Sequence, residues 1–425
     1  MGRGDVVVVD GDATSYDSLK NDSEIDRVLA SGASVLLVDA KEAHKESMRG
    51  AKRAGGSVDD DSHGVFFSPF TLPSGARGVH ILELPAGERK TTTKRVVQRK
   101  TGLVQGKITA STVIRKPTAA SLAMFTQRLG ELKDTPWVDP VAGQIPAEVA
   151  WMSVPYEVIE TSTDAALNNE AISEDITFVF RGFYSPPAGN QLYSNSIFVD
   201  HGGTITMGSP TVASVTDTGQ GYLEAVFGWY QTTTNISITP DRSNPSGQLV
   251  QPGATGMNVD GDTYQGTPPG IVLYYDSSNN AQVWGPSWNV PADPLTVPGW
   301  SLDATSGADP VFNYYQTSPF DASQSPVNYA SGLDNSQIGQ FLPLPSASNS
   351  TLTIAGASGF WSTSRINGPV RFNVNIGRVY TELITEFVTN PDITYGAGGT
   401  TLEDVGNRAF VIDLNLCKPG GGSQP

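Results

Sequence analysis

Four histidines, one cysteine and many carboxylates are the residues from which chemistry would have to be built. His44, His63 and His80 fall at spacings that match no zinc motif, and His201 stands alone. Cys417 is the single thiol, which excludes an intramolecular disulfide and any cysteine-based zinc site. The chain has no GxSxG, no HExxH and no serine–histidine–acid constellation. A glycosidase needs two carboxylates at a set separation, and no pair stands out along the chain. Asn258-Val259-Asp260-Gly261-Asp262 is rich in oxygen ligands but lacks the full calcium-loop spacing, so a turn is the plainer reading. Asp10-Gly11-Asp12 follows an apolar run without a phosphate-loop signature and reads as a turn leading into a helix. The expectation is no catalytic residue, no metal, no cofactor and no enzyme.

Charge and aromatic residues are more informative. Over residues 1–133 the chain holds 20 Lys and Arg against 16 Asp and Glu; from residue 134 on, 7 against 27. The net charge of −16 argues against nucleic acid as a partner. Arg89, Lys90, Lys94, Arg95, Arg99 and Lys100 open the one basic segment, residues 88–116. Three readings of it compete. It is an amphipathic strand pair with solvated charges, a patch drawn to anionic lipid at about 1 kcal/mol per Lys or Arg, or a protease-sensitive linker. No Lys or Arg occurs between Arg242 and Arg365, a loop-like region that carries Trp284, Trp288, Trp300, Tyr314 and Tyr315. Rings of this kind collect at bilayer interfaces, where one end is wet and the other apolar. They also cover sandwich edges or stack on sugars.

The elements that would position these residues are mostly strands. From Ser196 to Asp241 the chain alternates: Ile197, Val199, Ile205, Met207, Ala213 and Val215 share one parity, polar residues the other. Asp217-Thr218-Gly219-Gln220-Gly221 supplies turn chemistry. Leu223, Ala225, Phe227 and Trp229 then resume one face, and the phase slips near Thr233 before Ile236 and Ile238. No Lys or Arg lies between Arg181 and Arg242. A thin apolar face opposite a Ser/Thr/Gly face suits a barrel wall between lipid and water. An ordinary surface hairpin fits the same pattern.

Elsewhere, residues 5–85 read as a small α/β unit. Its strands are Val6–Val9, Ser34–Val38, Val65–Phe67 and Val79–Leu82, with helices over Ser18–Leu29 and Lys41–Ala54. Ala119–Leu132 has helical spacing. From Ile145 onward, short apolar segments separated by Gly/Pro/Asn/Ser turns give the signature of a sandwich or barrel. No apolar run approaches the ~18–20 residues of a membrane helix. Residues 1–15 lack a signal-peptide pattern, so a secreted form would have lost its signal or would leave by another route.

Val212–Gly219 through Asn235-Ile236-Ser237-Ile238-Thr239-Pro240-Asp241 resembles the stem of the leukocidin–hemolysin β-pore-forming toxins. Val283-Trp284-Gly285-Pro286-Ser287-Trp288 is similar to the segment that opens that family's membrane-facing rim. Asp392-Ile393-Thr394-Tyr395-Gly396, with Phe410, Ile412, Leu414 and Leu416 beyond, resembles its closing sandwich strands. The order stem, rim, closing strands is the family order and covers residues 145–416.

The resemblance implies a mainly β fold: a β-sandwich with a rim and a pre-stem hairpin, preceded by a small α/β N-terminal domain at 1–88. The cytolysin part would run 89–425, with the stem at 196–241 and the rim at 242–365. It implies a secreted protein whose partners are a lipid membrane, a glycan receptor and further copies of itself in a ring. Stem residues would include Ile205, Met207, Val215, Gly219, Leu223, Phe227 and Trp229, and the five aromatics above would form the rim. Some relatives lose an N-terminal pro-region on activation, which would make the basic residues 89–100 the cleavage site. Two other readings stay open at this point: a non-enzymatic carbohydrate-binding or viral coat sandwich, and a glycan-active hydrolase.

Overall fold

The computed structural model describes residues 2–49, 53–58, 62–72, 75, 77–85, 89–91, 93–96, 112–114, 117–145, 149–164, 170–184, 195–206, 214–217, 222–241, 249–252, 263–264, 272–275, 281–284, 288–289, 300–305, 311–316, 351–362, 369–388 and 393–413. The chain begins with β1 (Val6–Asp10), α1 (Tyr16–Lys20), α2 (Ser23–Ala30), β2 (Ser34–Val38) and α3 (Glu42–Glu46). It continues through β3 (Gly56–Val58), β4 (Ser62–Thr71) and β5 (Arg77–Pro85). The helix expected over Ser18–Leu29 is two helices, because Asp22 caps a fresh start by accepting from the Glu24 N–H at 2.8 Å. Leu19, Ile25, Val28 and Leu29 are buried all the same. The helix expected over Lys41–Ala54 is shorter, ending at Glu46 before a single 3-10 turn. Asp10-Gly11-Asp12 is a turn closed by Asp10 Oδ1, which accepts from the Asp12 N–H at 2.8 Å. A Cβ on Gly11 would lie 2.6 Å from the Ala40 Cα, so the crossing there needs glycine.

Three short basic-segment strands follow: β6 (Arg89–Thr91), β7 (Thr93–Val96) and β8 (Thr112–Ile114). After them come α4 (Ala119–Asp134), β9 (Ala150–Asp164), β10 (Glu170–Tyr184), β11 (Asn195–Thr206), β12 (Ser214–Asp217) and β13 (Tyr222–Pro240). Seven short strands lead on: β14 (Leu249–Pro252), β15 (Thr263–Tyr264), β16 (Val272–Tyr275), β17 (Ala281–Trp284), β18 (Trp288–Asn289), β19 (Trp300–Thr305) and β20 (Val311–Gln316). The described chain closes with β21 (Thr351–Ser362), β22 (Pro369–Val388) and β23 (Ile393–Asp413).

Two large sheets face each other. The first runs β1-β2-β4-β5-β9-β10-β11-β21-β14 and the second β19-β20-β13-β22-β23-β3. Alternation explains the packing: Val154, Tyr156, Phe178 and Phe180 of one sheet share a core with Ile236, Phe372, Val374 and Phe410 of the other. The Phe180 and Phe410 rings stack with centroids 4.2 Å apart. The fold is thus a mainly β sandwich with an α/β part at its N-terminus. That part is not set apart from the sandwich. β5 pairs with β9 in parallel, β3 adds to β23, and Val35, Leu37, Phe67 and Ile81 belong to the same core as the sandwich residues. An α/β unit ending at residue 88 therefore shares both sheets with the rest of the chain.

The outer face of the first sheet is covered by a strap, residues 117–145. Thr118 caps α4, accepting from the Ser121 N–H at 3.0 Å, and Ser121 Oγ donates to the Thr161 carbonyl at 3.2 Å. Halfway along, Arg128 forks onto Glu157 at 2.7 and 3.2 Å. Beyond the helix, Asp139 accepts two bonds from Arg181 at 2.8 and 3.0 Å and one from Ser153 Oγ at 2.6 Å. Arg181 also meets Asp200. Both Arg181 and Asp139 are fully buried, so these charges are held by each other and not by water.

Candidate membrane interface

The uncharged stretch 196–241 does not form one hairpin. Its first arm, β11, pairs along its whole length with β10 on one side and β21 on the other. Its second arm, β13, lies in the opposite sheet beside β22. Among the described residues the two arms meet only at the tip, where Ser214–Asp217 of β12 pair with Leu223–Val226 of β13. The reason is chemical equivalence. Ile197, Val199 and Ile205 fit the sandwich core as well as they would fit lipid, and period-2 alternation fixes a face without naming a neighbour. Ile205, expected in the stem, is therefore a core residue opposite Glu174 and Leu352. Val215 lies opposite Ala225, and Leu223 opposite Phe387. Met207 and Gly219 lie outside the described residues.

Strand β13 is 19 residues long. Its C-terminal part anchors in the core through Thr234, Ile236 and Ile238, and its N-terminal part continues to the tip. Two register shifts against β22 fall between Gln231 and Thr233 and between Val226 and Gly228. The first coincides with the phase slip read near Thr233. The second was hidden, because Phe227 is itself apolar and masks the inserted residue. As a result Leu223 and Trp229 do not share a face, although simple counting puts them together.

At the root of this strand the two sheets are joined by a polar contact. Tyr314 on β20 donates to the Ala355 carbonyl at 2.9 Å, and its oxygen lies 3.1 Å from His201 Nε2. With the tyrosine proton spent on Ala355, the imidazole must carry its proton on Nε2, a tautomer assigned from the bonding. Tyr314 is fully buried. It is a core residue and not part of a membrane-facing rim.

Burial pushes the His201 pKa down to about 3. Unfolded, this histidine titrates near 6.5, so the unfolded chain takes up its proton first as the pH falls. The stability is complete above the unfolded value and is lost as the pH falls toward the folded one. The whole displacement is worth about 5 kcal/mol. Glu157 works in the same direction at lower pH: burial opposes its charge, but His80 and Arg128 outweigh burial and hold it at about 2. His80 Nε2 is 2.9 Å from Glu157 Oε2, close but misaligned for a hydrogen bond. Asp175 opposes both. Burial and the nearby Glu157 charge raise it to about 7, so its share of the stability is lost as the pH rises through neutrality. Between pH 6.5 and 4 the His201 and Asp175 contributions oppose each other, so urea titrations are expected to show a nearly level stability there and a loss below pH 4. His201→Gln should instead gain stability as the pH falls from 6.5 to 4.

Of the remaining aromatics, Trp284 and Trp288 lie in small two-stranded sheets, whereas Trp300 and Tyr315 lie on β19 and β20 of the second large sheet. Trp284 stands opposite Val272, Trp288 opposite Tyr264, and Trp300 opposite Gln316. Tyr315 stands opposite both Ser301 and Thr233, on the β20 strand that flanks β13. The basic segment is divided: Arg89 and Lys90 pair within β6–β8, whereas Lys94 and Arg95 pair with Thr401 and Thr400 of β23. Arg99 and Lys100 lie outside the described residues. The strap anchors Asp139 and Arg181 and the His201–Tyr314 contact were not identified from sequence. Positions so far apart in the chain carry no spacing signal.

No protein-family model matches the chain, and neither does any curated protein. Among solved structures it is similar to one described as a pore forming protein, at 10% identity and a TM-score of 0.29, over 62% of this chain and 93% of that one. It is similar to Clostridium perfringens delta-toxin at 11% identity and a TM-score of 0.31, over 61% and 90%. It is also similar to the Clostridium perfringens NetB toxin in the membrane inserted form, at 9% identity and a TM-score of 0.29, over 63% and 98%. Likeness at these TM-scores carries no residue-by-residue correspondence.

Proposed function

We propose that this protein is a secreted, leukocidin–hemolysin-type pore-forming toxin that assembles into a ring on a target membrane and inserts a β-barrel. The observation that supports this reading is the paired tip 214–226, carried at the end of one 19-residue strand rooted in the sandwich core. Between Arg181 and Arg242 there is no Lys or Arg to oppose transfer into lipid. Val215, Leu223 and Ala225 share one face of the tip, with Asp217 at its turn end, while Ser214, Thr216, Glu224 and Val226 share the other. The first face would meet lipid and the second the water-filled lumen. Ring closure would pair every strand edge and leave no backbone group unsatisfied in hydrocarbon. The aromatic hairpins between 263 and 289 would make the first contact with lipid headgroups, directly or through a glycan.

Dye release from mixed-lipid liposomes, with the product run unboiled on a denaturing gel, tests the reading. Release together with a high-mass ring is the expected result; a protein that stays monomeric and releases nothing overturns it. Ala225→Arg, which puts a charge on the lipid face at about 2–4 kcal/mol per protomer, is expected to abolish release. Thr216→Arg, on the lumen face, should leave release within a few-fold of the unmodified protein.

A further inference from the structure

Strand β22 alternates without interruption over its 20 residues, and the inserted residues all fall on its neighbours. Its side of the sheet that packs on the sandwich core carries Val370, Phe372, Val374 and Ile376, all buried. Stepping on by twos, the same side next carries Arg378, Tyr380, Glu382, Ile384 and Glu386. The opposite side begins with Arg371, Asn373 and Asn375 and then becomes Val379, Thr381, Leu383, Thr385 and Phe387. The apolar face therefore changes sides at residue 377. A strand that served only the sandwich would keep its apolar residues on the core side throughout.

The neighbouring strands follow the same inversion. Opposite the second apolar series, β23 contributes Leu402, Thr400, Ala397, Tyr395 and Ile393. β13 contributes Tyr230, Gly228, Ala225 and Leu223. None of the residues registered on this face with positions 379–387 of β22 carries a charge at neutral pH. The other face holds Glu224 opposite Glu386, and Glu382 opposite Trp229. Arg378 and Glu403 occupy opposite register positions at the base, where the strands join the sandwich. The bulges in β13 and β23 keep the two flanking strands in phase with β22 across the inversion. The uncharged series spans 379–387 on one strand and 393–402 on the other. That is close to the ~9–11 residues a tilted strand needs to cross the hydrocarbon layer.

We propose that the outer half of the β22–β23 hairpin is a second membrane-inserting hairpin, whose uncharged face meets the lipid bilayer. Each protomer then supplies four neighbouring barrel strands, β12, β13, β22 and β23. This rests on the pore-forming reading above and extends it. The edge strand β7 places Arg95 beside Thr400 on the uncharged face. It must leave before insertion, and its departure frees the β23 edge to pair with the β12 edge of the next copy.

In a chain carrying Cys417→Ser, Leu383→Cys and Ile384→Cys, on opposite faces, and Ala225→Cys in the tip, each made singly, would carry an environment-sensitive dye. The probe membrane is a liposome of mixed neutral and anionic lipid. The labelled chains are first checked for an unchanged thermal transition, with Thr385→Cys as the substitute for Leu383, Glu386→Cys for Ile384 and Val215→Cys for Ala225. On membranes that release their contents, the dyes at Leu383 and Ala225 are both expected to shift to the blue and to be quenched by a lipid-bound nitroxide. The dye at Ile384 should be quenched by aqueous iodide instead. A response at Ala225 with none at Leu383 would overturn the four-strand proposal while leaving the pore intact. Silence at both positions, with no release, would overturn the pore reading and this proposal together.

Discussion

Deleting residues 1–88 is expected to leave a chain that does not fold. The deletion removes β4 and β5 from the first sheet and leaves β9, an interior strand, as a bare edge. It also removes Val35, Leu37, Phe67 and Ile81 from the core that holds Val154 and Tyr156, and it uncovers β23 where β3 pairs with it. Circular dichroism and urea titration of the truncated chain should show no cooperative transition. A cooperative transition near that of the full chain would refute the shared core. The milder version of the experiment is the informative one for activation. Cleavage within the basic segment should leave the two fragments co-eluting on a sizing column, because the N-terminal piece is held by two sheets and a core. Any activation by cleavage at 89–100 would then act by freeing β7 from β23, with the N-terminal strands staying in place.

Asp139→Ala is the second large effect. It leaves the Arg181 guanidinium buried with only the partly exposed Asp200 to balance it, and it strands the Ser153 hydroxyl. Breaking one partner of a buried ion pair costs about 3–5 kcal/mol. The urea midpoint should fall accordingly with an unchanged slope, since the surface exposed on unfolding stays the same. Replacing all three charges at once, as Asp139→Leu with Arg181→Met and Asp200→Asn, should recover much of the loss, because no charge is then left unpaired. If the single substitution costs under about 1 kcal/mol, the strap is not anchored through this pair.

Much of the fold can be read from the residues. Alternation marked the strands, helical spacing marked α4, and the turn residues after Asp217 stand between two strands that do pair at their ends. The missing information was of one physical kind. Alternation says which residues share a face, but hydrogen bonds between strands are backbone bonds and carry no side-chain signature. The partner of β11 was therefore invisible, and 196–241 read as a single hairpin. The same limit hid the continuity of β22, whose apolar alternation breaks at Gly377 and Arg378. Tyr314 looked like a rim residue because its neighbours are loop-like and aromatic. Its bonds to His201 and to the Ala355 carbonyl show it bridging two sheets.

The pairing of Gly56–Val58 with Phe410–Ile412 joins opposite ends of the chain. During synthesis, β3 has no partner until nearly the last residues of the described chain have emerged, and the second sheet lacks its longest strand until then. Contacts so distant in sequence form slowly, and the open edges left meanwhile are prone to pair with other chains. The final strand thus acts as a kinetic seal. Refolding of the full chain should show a late phase in which the tryptophan-poor core around Phe410 closes, and lower protein concentration should raise its yield.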